Sequence, residues 1–175
     1  GKTRVGRFGH KAQIPDLLQF TAEAFLNDFG VTTPLEPNEN LPQGQPIPPH
    51  CSEAAEPNDN GQQLVAAFLF MEYLAPSTPG TGNSNGDALF DSVGCSLCHV
   101  RTYTTPSNVT VPLDLNGTTL VSHALSNQPV NLYSDLLLHD MGPVLADGVT
   151  QGQATSRLWR TPPLWGLSQR THYLH

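Results

Sequence analysis

The sequence predicts a mainly helical, loop-rich fold with one small β-hairpin, and three observations carry that expectation. Apolar residues recur at helical spacing in Leu17, Leu18, Phe20, Phe25, Leu26 and Phe29, in the run from Leu64 to Leu74, and in Ala88, Leu89, Phe90 and Val93. Sixteen prolines and fifteen glycines among 175 residues interrupt regular structure almost everywhere else. Asn116-Gly117, which tolerates left-handed backbone, stands between Val109–Leu115 and Thr118–Val121 and marks a tight turn between two strands.

Each element follows from its residues in turn. The segment from Asp16 to Phe29 reads as an amphipathic helix stopped by Gly30. Residues 31–60 are rich in proline and acid and have little periodicity, so they are expected to cross the surface as a long irregular loop. Leu64 to Leu74 is the most apolar run and reads as a buried helix, with Met71 and Tyr73 as packing residues. A linker from Ser77 to Gly86 leads into a short apolar helix. Pro112 confines the first strand of the hairpin to a sheet edge. Asn131 to His139 reads as a short helix or turn, and Trp159 to Leu167 as an extended aromatic and proline segment. The chain is expected to form a single domain over 1–175, in which 1–85 wraps a core built by 86–175.

The run Cys95-Ser96-Leu97-Cys98-His99 carries the chemistry. On a helical turn, positions i, i+3 and i+4 share one face. Both sulfurs can then form thioethers to the two vinyl groups of one haem while His99 rises beneath the iron as the proximal ligand. Gly94 frees the backbone just before the first cysteine, and Leu89 and Phe90 are placed to pack on the haem edge. A redox-active dithiol would need a preceding strand, which is missing. A zinc site would need a second cysteine or histidine pair at finger-like spacing, and only Cys51 beside His50 remains. The predicted fold is therefore a cytochrome c-like haem domain with one covalent haem c.

The formal net charge of −7 is unevenly spread: residues 12–100 hold eleven acids and no lysine or arginine. A nucleic-acid partner is excluded by the lack of clustered cations. The acidic stretch reads as a solubilising face, with steering of a basic redox partner as the functional alternative. No stretch approaches the roughly 20 apolar residues of a membrane span. Because bacteria attach haem to thiols outside the cytoplasm, a periplasmic or extracellular location is expected, with any export signal already removed. Cys51 reads as a free thiol or an intermolecular link.

Four stretches in order carry a family likeness: Gly6-Arg7-Phe8-Gly9-His10-Lys11-Ala12, the cysteine motif, Tyr133 to Gly142, and Trp159 to Leu167 with Tyr173-Leu174-His175. Together they resemble the bacterial di-haem oxidoreductases, also described as thiol oxidoreductases, which are relatives of di-haem cytochrome c peroxidase. The family has two haem motifs. This chain has one, corresponding to the C-terminal haem domain, and it has His10 where the family has tryptophan. Family chains also run on past Tyr-Leu-His to a helix bearing a distal histidine. The resemblance thus implies either a piece of a di-haem protein or a trimmed monohaem cytochrome.

The ligand opposite His99 separates electron transfer from catalysis, since a closed low-spin iron suits the first and an open position the second. Met141, 42 residues after His99 and followed by Gly142-Pro143, is the distal candidate. His175 is an alternative, and so is His10, either within the chain or between subunits. Arg160 is a candidate partner for a haem propionate, as is Arg101. Trp159 and Trp165 read mainly as packing, with a role in electron tunnelling as the alternative. The leading expectation is a c-type cytochrome that exchanges electrons with a redox partner protein or a neighbouring haem subunit, with no residue assigned a catalytic role. The alternatives are the C-terminal half of a di-haem peroxidase-like oxidoreductase, and a homo-oligomeric subunit of an extracellular haem-stacking assembly.

Overall fold

A computed structural model describes residues 4–51, 53–78, 80–167 and 170–172. It corrects the expected fold class. Among the described residues only 26% are helical, in three α-helices and short 3-10 turns, and 12% are strand, in small antiparallel pairs, so the protein is not mainly α. The backbone falls into two compact units. One comprises residues 14–74 and 110–122, and the other 1–13, 75–109 and 123–175.

The first unit is built on two helices. α1 (Leu17–Phe29) begins where the Asp16 carboxylate accepts a hydrogen bond from the Gln19 N–H (2.8 Å), and it ends at Gly30 in the left-handed region. It buries Thr21, Ala22 and Leu26. α2 (Gln62–Glu72) buries Leu64, Val65 and Phe68 and packs on α1. Its start is held by buried Asp59, whose two carboxylate oxygens accept from the Gln63 and Leu64 N–H groups at 3.2 and 3.0 Å. α2 is only half-buried, because Phe70 on its other side is exposed. Among the described residues no helix is long and apolar enough to cross a membrane.

The expected hairpin is present in the same unit. β2 (Thr110–Pro112) pairs antiparallel with β3 (Thr119–Val121), so Pro112 does lie on an edge. Asp114 braces the turn by accepting from the Asn116 and Thr118 N–H groups, and Gly117 takes a φ of 98°. The loop over 31–60 is irregular as expected, with one short 3-10 turn at Pro42–Gly44.

The second unit carries α3 (Ser84–Ser92), capped by the Asn83 side chain, and two further strand pairs. β1 (Tyr103–Thr104) pairs with β4 (Pro129–Val130), and β5 (Leu138–Asp140) pairs with β6 (Leu158–Arg160). Here the fold departs most from the helical reading. Residues 131–137 form neither helix nor strand, and Tyr133 and Leu136 sit at positive φ, which breaks any helical ladder. Their backbone groups bond to distant partners instead. The Tyr133, Ser134 and Asp135 N–H groups donate to the carbonyls of Arg101, Val100 and Cys98. The Thr161 N–H donates to Leu137, and the Arg160 N–H to His10. A continuous backbone network thus joins the N-terminal arm, β6, β5 and the cysteine motif.

Candidate haem site around Cys95, Cys98 and His99

α3 ends at Val93, and Gly94 at φ 87° turns the chain into a 3-10 turn over Cys95–Leu97. The His99 N–H donates to the Cys95 carbonyl at 2.9 Å, a helical i to i+4 bond. This places Cys95, Cys98 and His99 on one turn, as the spacing predicts. None of the three cysteines forms a disulfide.

His99 is buried, at 6% exposure. Its Nδ1 lies 2.7 Å from the Tyr133 carbonyl oxygen. A carbonyl can only accept, so Nδ1 carries the proton and Nε2 is the ring nitrogen that would face a metal. The ladder from Tyr133 to Asp135 holds that carbonyl in place, and buried Ser134 braces the ladder. The Ser134 Oγ–H donates to the Thr161 carbonyl at 2.6 Å, and its oxygen accepts from the Leu136 N–H at 2.9 Å.

Phe90 packs against the imidazole of His99 and edge-on against Tyr133. Leu89, its expected companion on the haem edge, instead lies 60% exposed, and Val93 and Leu97 are 68% and 82% exposed. Two free thiols one turn apart, a tautomer-fixed imidazole and apolar side chains turned outward together fit a covalently held haem. The donor set has the required chemistry, and its orientation is set by the surrounding backbone.

Arg101 is engaged by two carboxylates of α3. Its guanidinium reaches Asp87 at 2.8 Å and Asp91 at 2.9 Å and lies 5.0 Å from the centre of the Phe90 ring. It ties α3 to the strand that follows the motif. Arg101 holds the Asp91 carboxyl below the usual carboxylate range, and the two carboxylates hold Arg101 above its own ordinary value.

Arg160 is half-buried and donates to the carbonyls of Gly9 (2.8 Å) and Thr161 (3.2 Å); burial pushes its pKa down. His10 is exposed, its ring edge-on to Trp159 at 6.3 Å. Beside it, Lys11 is 2% exposed and donates to Asp147, Thr155 and Ser156, with its Nζ 4.0 Å from the Trp159 ring centre. Arg160, His10, Lys11 and Trp159 thus form one cluster between the N-terminal arm and β6. Met141 follows β5, half-buried, with its N–H bonded to the Arg157 carbonyl. His175 lies outside the described residues. Cys51 is exposed, and so is His50, which pairs with Glu53.

The sequence gives no sign that Asp135 and His139 stand together beside Cys98. The His139 Nε2–H donates to Asp135 Oδ2 at 2.8 Å, and both groups lie close to the Cys98 sulfur. Burial pushes Asp135 up, but the Leu137 N–H, the Thr161 hydroxyl and His139 outweigh it and hold the carboxyl below its ordinary value. Their four-residue separation looks helical. In the fold it spans a turn at Leu136 and the first residues of β5. Arg7 was also passed over as a site residue. It lines an open, largely apolar cleft of about 480 Å³ with Val5, Tyr103, Leu132, Leu136 and Asp135.

No curated protein and no solved structure matches the chain significantly. The sequence profile of one family, described as "Di-haem oxidoreductase, putative peroxidase", matches residues 2–173. The chain belongs to the di-haem oxidoreductase family.

Proposed function

We propose that this chain holds one haem c through Cys95, Cys98 and His99 and passes electrons between redox proteins in the periplasm or outside the cell. The observation that carries the reading is the 2.7 Å bond from His99 Nδ1 to the Tyr133 carbonyl, on the same turn as two free thiols. When bound, the haem supplies a one-electron iron couple. The protein does the rest. Cys95 and Cys98 hold the macrocycle, and the Tyr133 carbonyl raises the basicity of the His99 ligand. Phe90 keeps the imidazole from turning. Met141 is the second iron ligand in this reading, with His10 and His175 as the alternatives.

The test is the absorption spectrum of the oxidised full chain before and after adding cyanide or peroxide. An unchanged low-spin spectrum, with a methionine–iron charge-transfer band that disappears in M141A, supports the reading. A spectrum that shifts at once with either ligand contradicts it.

A second reading is favoured by the family match over residues 2–173. In it the chain is the C-terminal half of a di-haem peroxidase-like oxidoreductase and supplies one of two redox sites. An intact mass exceeding the polypeptide by more than one haem supports that reading over the first.

A further inference from the structure

We propose that Cys98, Asp135 and His139 form a binding site for a divalent transition cation of the zinc type in the haem-free chain. The Cys98 sulfur, an Asp135 carboxylate oxygen and a His139 ring nitrogen all lie within 4.8 Å of one another. One thiolate, one imidazole and one carboxylate is a donor set that suits Zn²⁺ and Co²⁺ and is too soft for Ca²⁺ or Mg²⁺. The fourth position of a tetrahedron stays open to water.

Each donor is held before any ion arrives. The Cys98 carbonyl accepts the Asp135 N–H at 2.8 Å, which locks the two backbones together. The Leu137 N–H, 2.9 Å from Asp135 Oδ1, turns Oδ2 toward His139. His139 sits in the middle of β5, opposite Trp159 on β6. An ion would take the place of the Nε2 proton that now bridges His139 and Asp135, and draw in the sulfur beside them. The Tyr133–Asp135 ladder brings Asp135 beside Cys98, and the β5–β6 pair carries His139 to them. Asp135 and His139 are 37 and 41 positions after Cys98, so no finger-like spacing announces them.

Cation and haem then compete for one sulfur. Thioether formation adds the Cys98 S–H across a vinyl double bond: sulfur bonds to one carbon, the proton goes to the other, and no electrons are exchanged. The product has no thiolate to offer a metal ion. This exclusion rests on the haem reading proposed above, whereas the cation site rests on the three donors alone.

The test titrates Co²⁺ into the reduced, haem-free full chain carrying C51S, which removes the exposed thiol elsewhere. One Co²⁺ per chain is expected, with a thiolate-to-cobalt charge-transfer band and tetrahedral ligand-field bands, both lost on adding Zn²⁺. C98S abolishes the charge-transfer band, D135N and H139A each weaken binding by about tenfold or more, and C95S leaves the band unchanged. The chain with covalent haem shows no such band. Absence of the band in the haem-free chain overturns the proposal, as does a band that survives C98S or is lost in C95S. A band in the haem-loaded chain overturns the exclusion. If cobalt binds as expected but the exported protein proves colourless, the haem reading fails and the cation site stands.

Discussion

Replacing Ser134 by alanine tests how the site is held. Ser134 is completely buried, and its hydroxyl makes two bonds at once. The Thr161 carbonyl also accepts from Arg160 at 3.2 Å, so it keeps one partner in the variant. The Leu136 N–H depends on the Ser134 oxygen, and Leu136 sits at φ 58°, where the backbone gains nothing by staying once that bond is gone. Losing the first bond costs about 1 kcal/mol and orphaning the N–H about 1–2 more, so S134A is expected to destabilise the protein by about 2–3 kcal/mol. No cavity term of note is added, because only one oxygen is removed. The assay is urea unfolding followed by tryptophan fluorescence, since Trp159 and Trp165 both lie in the same unit as Ser134. A change under about 0.5 kcal/mol, the scale of an ordinary surface substitution, would refute the claim that this hydroxyl braces the ladder behind His99.

Two further outcomes follow from the same geometry. Lys11→Met removes a buried ammonium with three acceptors and an aromatic face around it. It is expected to cost about 3 kcal/mol in the same unfolding assay, and a neutral effect would show that the cluster against β6 is dispensable. Arg101→Gln releases Asp87 and Asp91. Because Arg101 lowers the folded-state pKa of Asp91, the stability it contributes is fully present above the ordinary aspartate value near about pH 4 and is lost as pH falls through the lower folded value. The stability gap between wild type and R101Q is therefore expected at pH 7 and should close as the pH drops below about 4. A gap that persists unchanged into that acidic range would remove the ion pair as its cause.

What could be read from the sequence was local. α1 is announced by helical spacing and a terminal glycine, and the hairpin by Asn116-Gly117 between β-branched residues; these signals act within a few residues. The cysteine motif is legible for the same reason, because both sulfurs and the imidazole lie within five consecutive residues. The segment from Asn131 to His139 departs from the helix-or-turn reading because most of its backbone partners lie twenty or more residues away in either direction. Nothing near it in sequence shows that Ser134 faces Val100 or that Asp135 faces Cys98. The ion pairs of Arg101 were not legible either, because Asp87 and Asp91 converge on it only once α3 has formed. The mainly helical expectation failed for one physical reason throughout: short strands held by non-local bonds leave little periodicity to detect.

Whether two thiols of this chain are bonded to a porphyrin decides the proposed function most directly. Extraction of the purified, exported full chain with acidified organic solvent, followed by a pyridine haemochrome spectrum and intact mass, measures this. The colour is expected to stay with the polypeptide, with the spectrum of a haem whose vinyl groups are both consumed, and to be lost in C95A/C98A. A colourless protein, or pigment that passes wholly into the solvent, would contradict it.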